Sequence, residues 1–147
     1  NGYGYAMGGE SYPPSNTRNI IEKYAFTSTA DAADVGDLTA ARKAAGTHAS
    51  TSRGFMAGGA PAPSASNVID SVPFSSDGNA TDWGDLTEAR GHVAGCQSTT
   101  HGYLEGGATA PGGMSDVIDK FSHSSPANAT DVGEAPSSNQ GGSMSEI

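Results

Sequence analysis

The stretches GFMAGG (residues 54–59), NVIDSVPF (67–74) and TDWGDLTEAR (81–90) form one ordered phrase, and its recurrence decides the fold. The phrase occurs earlier as GYAMGG (4–9), NIIEKYAF (19–26) and ADVGDLTAAR (33–42). It returns as GYLEGG (102–107), DVIDKFSH (116–123) and a decayed TDVGEAPSSN (130–139). Arg42 and Arg90 stand 48 residues apart, and Asp82 and Asp131 stand 49 apart. A near-constant offset of that size marks stacked copies of one supersecondary unit. The chain reads as one repeat domain, 1–147, with units of approximately 4–53, 54–101 and 102–147.

Each unit has room for four short strands. In the apolar octet, Val68, Asp70, Val72 and Phe74 alternate with Ile69, Ser71 and Pro73, which is the period of a strand. Gly54 to Gly59 gives a second strand that stops at a glycine pair, where the missing Cβ permits a tight turn. Asp77-Gly78-Asn79 is a turn signal leading into a third strand over Asp82 to Thr87. Gly91 to Gln97, made of small residues, supplies the fourth. The fold class is all-β.

Composition limits the partners. Leu, Ile, Val and Phe together number 18 of 147 residues, about 12%, below the roughly 20% that signals disorder when net charge is high, a charge condition this chain barely meets. Twenty-one glycines and many alanines supply bulk in small pieces, so stability should depend on neighbouring units or chains. A net charge of -9 with no Lys/Arg cluster leaves nothing to drive phosphate-backbone binding, which excludes nucleic acid. No apolar run approaches the roughly 20 residues of a membrane span. The lone Cys96 cannot form an internal disulfide.

A strand ending in Gly-Gly (Gly8 and Gly9, Gly58 and Gly59, Gly106 and Gly107) precedes an apolar residue in the next strand. Trp83 follows in the third, and Arg42 or Arg90 stands before a small-residue strand. This series resembles the kelch repeat of β-propellers. Val35 and Val132 stand in place of the Trp, and Asn139 in place of the Arg. The resemblance implies a propeller of about three four-stranded antiparallel blades. The chain then opens on the second strand of a blade and closes on a first-type strand near Gly141 to Ile147. Closed propellers have typically 4 to 8 blades, so another copy of the chain, or further repeats, should complete the ring.

Candidate chemistry is sparse. Glu22, Asp70 and Asp119 fall mid-strand, where buried carboxylates need partners, and Arg42 and Arg90 are placed to supply bidentate pairing. Asp77, Asn79 and Thr81 imitate an oxygen-ligand loop for calcium but lack the following glycine and the distal Glu. His48, His92, His101 and His123 occupy unrelated repeat positions, and Cys96 with Tyr103 would be the only materials for a kelch-type copper site. No catalytic residue, metal or cofactor is expected. Asn79-Ala80-Thr81 and Asn128-Ala129-Thr130 match glycosylation sequons, as one duplicated turn would.

Loops between the Gly-Gly strand and the octet vary while the frame stays fixed. Loops on a rigid scaffold are where binding residues concentrate, and Tyr12, Arg18 and Met114 are the side chains there most capable of contact. The phrase ATDxGDLTxAR resembles repeats in virion structural proteins of marine tailed phages. That resemblance implies a noncatalytic, extracellular virion protein, a module of a tail fibre or capsid appendage. Its partners would be further copies of itself or other virion proteins, and its rim loops would meet a host-surface glycan. The alternative is a secreted or cell-surface bacterial kelch protein that binds carbohydrate or protein.

Overall fold

The structure is a computed structural model and describes residues 2–13, 15–60 and 64–138. Three antiparallel sheets follow one another along the chain. The first comprises β1 (Tyr3–Met7), β4 (Ile20–Ala25) and β5 (Ala33–Asp37), with a ribbon of β2 (Glu10–Ser11) and β3 (Asn16–Thr17) inserted after β1. The second is a meander of β6 (Gly46–Ala49), β7 (Arg53–Ala57), β8 (Val68–Pro73) and β9 (Thr81–Asp85). A small ribbon joins β10 (Arg90–Gly91), β13 (Ala108–Thr109) and β14 (Gly113–Met114). The third sheet is a meander of β11 (Ala94–Gln97), β12 (His101–Glu105), β15 (Val117–Ser122) and β16 (Thr130–Glu134). Among the described residues no helix is long and apolar enough to cross a membrane.

The octets are β4, β8 and β15, central in the repeat, and β8 is buried on both faces from Ile69 to Val72. Alternation alone implies one wet face. It fails for β8 because neighbouring sheets cover both sides. One core joins Phe55, Ile69, Trp83, Leu86 and Val93 to Leu104 and Phe121 of the next unit. The other joins Ile21 and Leu38 to Met56, Val72 and Ala80. Both cores thus lie between consecutive sheets, so one unit has little core of its own.

Two sequence expectations need correcting. The third strand ends at Asp85, because Leu86 to Arg90 leave the sheet to reach the next unit. The expected strand Gly91 to Gln97 is split: Arg90–Gly91 pairs with β13, and β11 starts at Ala94. The break falls at His92, whose φ of 55° is repeated at the equivalent Ala44 and is foreign to extended backbone. Asn139 and the expected strand near Gly141 to Ile147 lie outside the described residues.

Glycine is required where sheets lean together. Gly36 and Gly84 have φ of 155° and 145°, and a Cβ on them would collide with the carbonyls of Gly78 and Ala127 in the following unit. The ring of hydrogen bonds there repeats as well. Asn79 Oδ1 accepts from the Asp37 amide at 3.0 Å, and Asn128 Oδ1 accepts from the Asp85 amide at 3.1 Å. The duplicated sequon is therefore a duplicated inter-sheet tie, and two of the oxygens considered for calcium, on Asn79 and Asp77, already have protein partners.

Candidate functional site

The recurring acid and arginine form a joint between sheets. A bulge sits beside the acid in every octet, between Ile21 and Glu22, between Ile69 and Asp70, and between Val117 and Asp119. A bulge bends the strand and re-aims a side chain. Asp119 Oδ2 accepts from Arg90 Nη2 at 2.7 Å and from the Thr87 amide at 3.1 Å, while its Oδ1 accepts from the Thr87 hydroxyl at 2.7 Å. Asp70 repeats the arrangement with Arg42 at 2.7 Å and Thr39 at 3.1 and 2.8 Å. Both arginines and both aspartates are essentially fully buried. The pairing is through one guanidinium nitrogen, not the bidentate fork expected from the sequence, because threonine takes the second carboxylate oxygen.

The same arginines are fixed through their backbones. Gly9 and Gly59 donate their amides to the carbonyls of Arg42 and Arg90, both at 2.9 Å. A Cβ on Gly58, at φ 68°, would stand 2.6 Å from the Arg90 carbonyl oxygen. So each Gly-Gly pair holds the arginine of its own unit, and that arginine holds the aspartate of the next. Gly8, which a Cβ would bring to 2.5 Å from the Arg42 carbonyl, acts in the first unit as Gly58 does in the second. Gly106 and Gly107 keep the same backbone, at φ 62° and 108°, in the third. Burial pulls the Arg42 pKa down, opposed by Asp70. Glu22 lacks this setting and meets only Arg18, at 3.8 Å on the surface.

Trp83 is a second joint. Its indole N–H donates to the Ser122 carbonyl in the third sheet at 2.8 Å, its ring meets Phe55 edge-on, and Arg53 lies over it at 4.7 Å.

The proposed rim-loop residues are not gathered. Tyr12 is 81% exposed in the turn of the β2–β3 ribbon, Arg18 leaves that ribbon toward Glu22, and Met114 stands exposed on β14. The concavity between the second and third loops of this end, about 360 Å³, is lined by Ser64, His92, Thr109 and Pro111 among others, and by none of the three.

Sequence spacing missed the histidines. His48 on β6, His101 on β12 and His123 just after β15 converge at the opposite end of the sheets. His48 and His123 lie 5.4 Å apart, ring centre to ring centre, in a cluster with Phe55 and Phe121. Neither ring makes a hydrogen bond through its nitrogens, and both are more than nine-tenths buried. A signal was present: His123 occupies the octet position held by Phe26 and Phe74 in the other units. The structure also sets Cys96 opposite Tyr103 across β11 and β12. Among the described residues, no three His, Cys, Asp or Glu side chains are placed to share a metal ion.

Burial, with His123 adding to it, pushes the His48 pKa from 6.5 down to about 3. The unfolded chain therefore binds this proton at higher pH than the folded chain does. Stability is complete above pH 6.5 and falls as pH drops toward 3, with a slope approaching about 1.4 kcal/mol per pH unit. Urea midpoints at pH 7 and pH 4 should differ in the natural protein, and His48→Leu should narrow that difference.

These features define an all-β repeat domain whose sheets are locked by buried ion pairs. Among solved structures, one described as "Structure of YjhT" superposes with a TM-score of 0.78 at 13% identity, over 95% of this chain and 51% of that one. The chain spans about half the length of that structure, and the likeness is one of fold. No family model matches the sequence. No curated protein matches it either.

Proposed function

We propose that this chain is a noncatalytic assembly module of a phage tail fibre or capsid appendage, in which the three sheets are kelch-like propeller blades and the ring is completed by another copy or by further repeats. One observation carries the assembly part. The second and third sheets each begin with a strand delivered by the preceding unit, β6 and β11, whereas the first sheet begins at β1. Among the described residues the outer edge of β1 is unpaired and lies beside β6, with a cleft of about 290 Å³ between them, lined by Tyr3, Met7, Thr47 and Ala49 among others. In the third sheet the corresponding place is filled by β11, packed against β6. An open strand edge is a template for pairing with another chain.

The virion assignment is supported by the ATDxGDLTxAR phrase, and the noncatalytic assignment by the use of the recurrent acids and arginines in structural pairing. Sedimentation velocity at micromolar concentration tests the assembly: a species of twice 14.7 kDa is expected, and a stable compact monomer would refute it. The chain should also copurify with particles in fixed stoichiometry.

A further inference from the structure

The end of the sheets opposite the Gly-Gly loops carries a concavity of about 510 Å³ between the second and third sheets. Its walls are the hairpin turn Ser50 to Ser52, the equivalent turn Thr99 to His101, and the strand end Ser122 to Ser124. Every lining side chain is a hydroxyl or an imidazole; no Lys, Arg, Asp or Glu is among them. The turns are pre-set. Ser50 Oγ accepts from the amides of Ser52 and Arg53 at 3.3 and 3.0 Å, and Ser98 Oγ accepts from those of Thr100 and His101 at 3.4 and 3.1 Å. Thr100 Oγ1 and His101 Nδ1 lie 2.8 Å apart.

The second observation is His123, which lines this concavity at 7% exposure with no side-chain partner on its ring and only a contact with the Thr99 backbone too loose to count as a hydrogen bond. Leaving such a group unpaired inside a protein is unfavourable. Phe26 and Phe74 hold the same repeat position in more exposed settings, so an aromatic ring without nitrogens suffices there. Its burial lowers its pKa, opposed by the Thr99 backbone and reinforced by His101, so the ring is held neutral, with one nitrogen to donate and one to accept. A neutral donor–acceptor ring among hydroxyls suits a ligand that is itself neutral and carries both donors and acceptors.

We propose that this cleft is a binding site for a neutral saccharide, with His123 hydrogen-bonding a sugar hydroxyl. The site is distinct from the Tyr12, Arg18 and Met114 loops and does not depend on the assembly reading. The neighbouring concavity one unit earlier shares Thr51 and Ser52 and brings Tyr3, Tyr5 and Phe74, with Lys23 beside them. Its aromatic rings are already engaged, with Lys23 Nζ over Tyr3 and Tyr5 at 4.7 and 5.9 Å, so they bound the site as a wall. Tyr5 and Phe74 are themselves stacked at 5.0 Å, so that surface is fixed in advance.

NMR titration of the 147-residue protein with methyl glucoside, methyl galactoside, methyl mannoside, N-acetylglucosamine and their disaccharides tests this, with glucuronate and inorganic phosphate as charged probes. At least one neutral sugar should move the amides of Thr51 and Thr100 and the His123 ring signals. His123→Phe, which copies the other units and should fold, is expected to weaken that sugar about tenfold, the worth of one good hydrogen bond. Val132→Ala, on an exposed strand remote from both concavities' linings, should leave its affinity unchanged. The proposal is overturned if no neutral sugar shifts these signals, if a charged probe binds more tightly, or if His123→Phe binds as the natural protein does.

Discussion

Asp119→Ala is expected to lower the folding stability by about 3–5 kcal/mol, the cost of removing one partner from a buried ion pair. The large figure comes from what remains. Arg90 would keep a full charge at no solvent exposure, with the Ser115 hydroxyl, the Val117 and Leu104 carbonyls and, at 3.5 Å, the partly exposed Glu88 carboxylate left to compensate it, which places the loss toward the lower end of that range. The Thr87 amide and hydroxyl would lose their acceptor at the same time. Domains of this kind have about 5–15 kcal/mol in total, so roughly a fifth or more of the stability is at stake. Replacing both charges, as Arg90→Met with Asp119→Leu, should restore much of the loss, because apolar pairs of similar volume tolerate such sites. Glu22→Ala is the contrast: its side chain is 40% exposed and its arginine 3.8 Å away, so a change within about 1 kcal/mol is expected. Urea midpoints with an unchanged slope would measure all three.

Trp83→Ala is expected to cost about 3–5 kcal/mol, as for other large-to-small changes of a buried aromatic. The ring is 5% exposed and belongs to the core shared by the second and third units. Truncation empties the space against Phe55, removes the face under Arg53 and leaves the Ser122 carbonyl without its indole donor. Val132 holds the same repeat position in the third unit but is 50% exposed, with no described sheet following it. Val132→Ala should therefore shift the midpoint little. If the two substitutions proved equally mild, Trp83 would not be joining the sheets.

Much of this was legible because the repeat is written locally. The octets and the Gly-Gly stops follow from periodicity and backbone freedom and land on strands or their ends, while Asp77 to Asn79 falls in the connection between β8 and β9, just after the turn at Phe74 to Ser76. The acid–arginine pairing was legible as a need, since a mid-strand carboxylate must be satisfied. Which unit supplied the arginine was not, because Arg90 and Asp119 are 29 residues apart and meet only when two sheets stack. The threonine share of the carboxylate was hidden for the same reason. The histidine cluster was hardest: His48, His101 and His123 sit at three different repeat positions, and periodicity suppresses whatever does not recur. Their meeting follows from the stacking of β6 on β11 and β12.

The central claim is that a buried Arg–Asp joint, repeated between successive sheets, holds the units together. A double-mutant cycle on Arg42 and Asp70 tests it most directly, because both side chains are shielded from solvent and their 2.7 Å bond spans consecutive repeat units. The account predicts a coupling free energy above about 2 kcal/mol, in the upper range seen for contacting residues. A coupling within about 0.5 kcal/mol of zero, the scatter expected of independent sites, would contradict it.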